Sequence, residues 1–74
     1  MSQGVALFHT TTSALRAEKV LLKEGLAVKL IPTPRELSSD CGIALRFEWD
    51  DRGQVEAGLS RAGVEFEIHL MEKR

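Results

Sequence analysis

Cys41 is the chain's only cysteine, and the residues around it look chosen for chemistry rather than packing. Residues 31–43 read Ile-Pro-Thr-Pro-Arg-Glu-Leu-Ser-Ser-Asp-Cys-Gly-Ile and also hold both prolines. The reactive form of a cysteine is the thiolate, which needs a lowered pKa and access to solvent. Arg35 and Arg46 would supply positive potential. Ser38 and Ser39 would donate hydrogen bonds to the sulfur. Gly42 would allow an unusual backbone angle and close approach of another group. Asp40 opposes this, because a neighbouring negative charge raises a thiol pKa. The structural alternative is that Cys41 packs under the loop as a small apolar residue. The residues alone leave both readings open.

A second group with chemical capacity is the run Thr10-Thr11-Thr12-Ser13. Any of Thr11, Thr12 or Ser13 is a candidate helix cap. Thr12 and Ser13 are also candidates for anion binding at the helix start, where free N–H groups and the helix dipole favour negative charge. His9 and His69 fall on different strands and, with one cysteine, form no metal-ligand spacing. Asp50-Asp51 reads as a cap, not as a catalytic carboxylate pair. No nucleotide loop and no nucleophile–base–acid set is legible. No cofactor and no metal is expected.

These residues need elements to position them. Val5 to Phe8 is a short apolar run, expected as a buried strand. Ala14 to Glu24 is the clearest helix: Ala14, Ala17 and Leu21 share a stripe that Leu15, Val20 and Leu22 would widen. Lys19 and Lys23 suit its C-terminal half, and Gly25 its end. Leu26, Val28 and Leu30 alternate in a second strand that runs to Pro32. Ile43, Leu45, Phe47 and Trp49 alternate in a third. Asp50 or Asp51 would cap a second helix that turns Val55, Leu59 and Ala62 inward and ends at Gly63. Gly53 and Gly58 each weaken that helix by about 1 kcal/mol relative to alanine, so packing must hold it. Val64, Phe66, Ile68 and Leu70 alternate in a fourth strand.

The order βαββαβ points to an α+β fold, a ferredoxin-like sandwich with a four-stranded antiparallel sheet and two helices on one face. Residues 1–74 are expected to form a single domain. In this topology the 33–42 connection stands at the same end of the sheet as the start of the first helix. Cys41 is thereby expected near His9, Thr12 and Ser13, with Gly63 close by.

Composition bounds the rest. A chain of 74 residues buries only about 60% of its unfolded surface, so a homodimer or another partner would help its core. Ten basic residues against eleven acidic ones leave no net field to attract nucleic acid or an anionic membrane. No apolar run reaches the roughly 20 residues that span a bilayer, and no signal-peptide pattern is present. The expected location is the cytoplasm, where a single thiol stays reduced.

Two stretches also carry a family resemblance. Residues 13–19, Ser-Ala-Leu-Arg-Ala-Glu-Lys, and residues 31–47, Ile-Pro-Thr-Pro-Arg-Glu-Leu-Ser-Ser-Asp-Cys-Gly-Ile-Ala-Leu-Arg-Phe, resemble the selenium/sulfur carrier-like family. The resemblance implies a carrier, not a stand-alone enzyme, with sulfur or selenium held on Cys41 as a persulfide or selenopersulfide. It implies as partners a cysteine desulfurase or another sulfur or selenium donor, and an acceptor protein. The Cys-Pro-x-Pro motif of better understood sulfur-relay proteins is lacking. The rival reading is a non-catalytic module for small-ligand binding or protein interaction, in which Cys41 is structural.

Overall fold

A computed structural model of the protein describes residues 2–34, 37 and 42–71. The elements run β1 (Gln3–Leu7), α1 (Thr11–Lys23), β2 (Val28–Pro32), β3 (Ile43–Glu48), a 3-10 turn (Trp49–Asp51), α2 (Arg52–Arg61) and β4 (Glu67–Met71). The four strands form one sheet in the order β2-β3-β1-β4, and every neighbouring pair is antiparallel. This is the α+β ferredoxin-like sandwich that the order of elements predicts.

The side-chain alternation of the strands assigns two faces. Ala6, Leu45 and Phe47 point to the helical layer. There they form the main core with Phe8, Ala14, Ala17, Leu21, Val55 and Leu59. The stripe Ala14, Ala17 and Leu21 is fully buried, as its spacing requires. Leu15 and Leu22 are not part of it; they are 47% and 51% exposed. The helix meets its neighbours along a narrower strip than its apolar residues suggest.

Gly58 is buried where α2 crosses α1. A Cβ there would lie 2.9 Å from Leu21 Cδ2. Its absence lets the helices approach, which offsets the cost of glycine within α2. Gly25 and Gly63, with φ of 84° and 71°, end the two helices in the left-handed conformation that only glycine adopts cheaply. Trp49 leaves the strand and enters the 3-10 turn. Its ring stacks on Phe47, with centroids 6.3 Å apart. The Arg52 guanidinium lies 4.9 Å above the Trp49 ring. Asp51 precedes α2 but makes no side-chain cap hydrogen bond.

Among the described residues no helix lies on the opposite face of the sheet, yet its centre is buried. Val5, Leu7 and Ala44 are buried, and Ile31, Leu37 and Met71 pack against them. Leu37 belongs to the connection between β2 and β3, so that connection contributes to a second, smaller core.

Candidate functional site

The connection that carries Cys41 is anchored at its base and at one point along its length. Thr33 donates its N–H to the Gly42 carbonyl at 3.1 Å, which extends the β2–β3 ladder one step beyond Pro32 and Ile43. Leu37 donates its N–H to the Pro34 carbonyl at 3.0 Å. The Leu37 side chain then packs against the core of Val5, Leu7 and Ala44 on the helix-free face. Burying an apolar side chain there stabilises by about 1–2 kcal/mol, enough to hold this point of the connection against the sheet. Arg35, Ser38, Ser39 and Cys41 lie outside the described residues. Gly42 is exposed, and the left-handed glycines among the described residues are Gly25 and Gly63.

The start of α1 stands at the same end of the sheet. Leu7, at the end of β1, pairs with Ala44, near the beginning of β3, and Pro32 pairs with Ile43. The cap is Thr10, one residue before the expected candidates. Its Oγ1 accepts from the Ser13 N–H at 3.1 Å and donates to Ser13 Oγ at 3.1 Å. Thr12 and Ser13 are therefore first-turn residues of the helix, and the Ser13 N–H is already satisfied. Extended backbone at Thr10, with φ −138° and ψ 156°, puts its hydroxyl in capping position. His9 Nε2 lies 3.5 Å from Glu65 Oε1, so the lead into α1 is tied to the segment before β4. Arg61, near the end of α2, pairs with Glu24 at the end of α1.

Arg46 projects from the helix-free face in a row that the register defines: Lys29, Arg46, Val5 and His69. Arg46 is half-buried, and Lys29 is exposed. Directly opposed like charges destabilise a sheet, so this pair concentrates positive potential on the face that Leu37 also occupies. Glu67 faces His69 at 3.0 Å in the same part of the sheet and partly offsets it. Lys29 escapes notice in the sequence because it reads as the polar half of an alternating strand. Its position opposite Arg46 depends on strand register.

Among the described residues, no group of His, Cys, Asp and Glu side chains is arranged to hold a metal ion. No helix among them is long and apolar enough to cross a membrane. No curated protein and no solved structure is detectably similar to the chain. A family model does match, over residues 3–69, and its span includes both the anchored connection and Cys41. The chain thus belongs to the family described as "Putative Se/S carrier protein-like".

Proposed function

We propose that the protein is a carrier that holds sulfur or selenium on Cys41 and hands it to an acceptor protein. The observation that carries this reading is the family match, which spans the chain's single cysteine. The geometry supports it: the connection is fastened at Thr33, Gly42 and Leu37, on a face where Arg46 and Lys29 project. Such a scaffold holds a loop out for use while its base stays rigid.

In the proposed step the Cys41 thiolate attacks the terminal sulfur of a donor persulfide. A new sulfur–sulfur bond forms to Cys41, the donor's sulfur–sulfur bond breaks, and the donor leaves as a thiolate. An acceptor thiolate then repeats the exchange and regenerates the Cys41 thiolate. Exchange of this kind needs a thiolate, an accessible sulfur and a good leaving group, with no metal or general base. Arg46, and Arg35 from the connection, would stabilise the anionic sulfur. Ser38, Ser39 and the backbone near Gly42 would donate hydrogen bonds to it.

Intact-mass measurement after incubation with a cysteine desulfurase and cysteine tests the proposal. The wild type should gain the mass of one sulfur, removable by a thiol reductant, and Cys41→Ser should gain none. An unmodified wild type, or the same gain on Cys41→Ser, would rule it out.

A further inference from the structure

We infer that the shoulder between α1 and the start of β2, centred on Leu22, is a docking surface for an acidic segment of a partner protein. Leu22 is 51% exposed, and two shallow depressions meet at it. One is lined by Arg16, Lys19, Val20 and Lys23 along α1. The other runs over Ala27 and Val28 to Lys29, Arg46 and Glu48. These walls hold five of the chain's ten basic residues and only one of its eleven acidic ones. A chain that is nearly neutral overall is therefore strongly segregated in charge, with a positive shoulder and an acidic remainder. Complementary potential of this kind steers encounter and selects partners.

Shape points the same way. Among the described residues β2 is an edge strand, paired with β3 alone, so one side of its backbone faces no other strand of the sheet. A groove between an edge strand and a helix accepts an extended segment as an added strand, with pockets for alternate side chains. Here the apolar positions would lie on the helical side, against Leu22 and Val28 with Lys19 and Lys23 at their flank, and the acidic positions would lie on the other side, towards Lys29. A second copy of this chain is disfavoured as the occupant. Pairing of two β2 edges would bring each Lys29 toward the other, and a lysine on an edge strand opposes such self-addition. Nucleic acid is disfavoured too. Single-strand binding needs exposed rings for stacking, but Phe47 is buried and Trp49 lies under Arg52. An anionic membrane would call for a broader apolar face with aromatic anchors, which α1 lacks.

This surface shares Arg46 with the proposed sulfur site, but Lys19, Leu22, Lys23 and Val28 take no part in that site. Val28 opens β2 at the end opposite Pro32, about 13 Å away at the usual strand rise. The Lys19→Glu/Lys23→Glu variant therefore tests docking separately from sulfur carriage.

The test is an NMR titration of the labelled protein with a short synthetic peptide that alternates glutamate with leucine. Parallel titrations use its lysine-for-glutamate counterpart, oligodeoxythymidine and phosphatidylserine vesicles. The expected result is a shift of the amides of Leu22, Lys23, Val28 and Lys29 with the acidic peptide alone, weakened by salt. Binding should fall roughly tenfold in the Lys19→Glu/Lys23→Glu variant. These side chains are exposed, so the variant should keep the wild-type circular dichroism spectrum. The inference is overturned if the acidic peptide shifts other amides or none. It is also overturned if the lysine peptide binds as well, if the oligonucleotide or vesicles bind instead, or if the charge-reversed variant binds equally.

Discussion

Lys29 stands directly across from Arg46 on the helix-free face of the sheet, the two residues being partners in the antiparallel β2–β3 register. Like charges placed opposite each other cost stability, and an opposite pair contributes roughly 0.2–1 kcal/mol. Lys29→Glu should therefore raise the urea midpoint of unfolding, by an amount that shrinks in high salt. A lowered midpoint would mean that the pair is already neutralised by another group.

The same row bears on the thiol. If Arg46 contributes positive potential at Cys41, its reversal raises the thiol pKa and reduces the thiolate present at neutral pH. Arg46→Glu should slow alkylation of Cys41 several-fold at neutral pH and much less at high pH, where the thiol is ionised in both proteins. Equal rates across pH would remove Arg46 from the site.

The cap of α1 separates two neighbouring threonines. Thr10→Ala deletes the acceptor for the Ser13 N–H and should cost about 1 kcal/mol. Thr12→Ala removes an exposed first-turn hydroxyl and should change stability by less than about 0.5 kcal/mol. Chemical denaturation of both variants checks the ordering. A larger loss at Thr12 would contradict the assignment.

Gly4 lies under two aromatic rings. An added Cβ would stand 2.6 Å from Phe47 Cζ and 2.7 Å from Trp49 Cε3. Phe47 is only 2% exposed and has little room to retreat. Gly4→Ala should destabilise by about 1–3 kcal/mol, the usual range for overpacking a core. The Trp49 fluorescence should shift as its ring is displaced. A variant as stable as the wild type would show that the Phe47–Trp49 stack is loose.

Leu21 and Leu22 are adjacent leucines with opposite fates. Leu21 is fully buried against Gly58 and the sheet, so Leu21→Ala should cost about 2–5 kcal/mol. For a domain of this size that is a large share of the total. Leu22→Ala should cost less than about 0.5 kcal/mol. Thermal melts of the pair measure the contrast, and comparable losses would place Leu22 in the core instead.

Several elements of this fold are legible in the amino-acid order because they depend on local periodicity and backbone chemistry. The spacing of Ala14, Ala17 and Leu21 marks the buried side of α1. The alternation from Ile43 to Phe47 marks β3, and Gly25 and Gly63 mark the helix ends. The βαββαβ order leaves few topologies, and the ferredoxin-like one places the Cys41 connection at the start of α1. The oddity of residues 31–43 is equally local, and so is the resemblance they carry.

Tertiary structure alone decided the remainder. An apolar stripe does not state how wide its contact is, so Leu15 and Leu22 look like core residues until the helix is docked. Leu37 reads as one apolar residue in a polar loop, and only the path of the chain lays it against Val5, Leu7 and Ala44. Lys29 and Arg46 are seventeen positions apart, and strand register sets them face to face. Net charge near zero hides the positive shoulder, because a sum over the chain carries no positions. The physical reason is common to all four. Local propensity acts over a few residues, whereas exposure, register and charge clustering arise from contacts between segments distant in the chain.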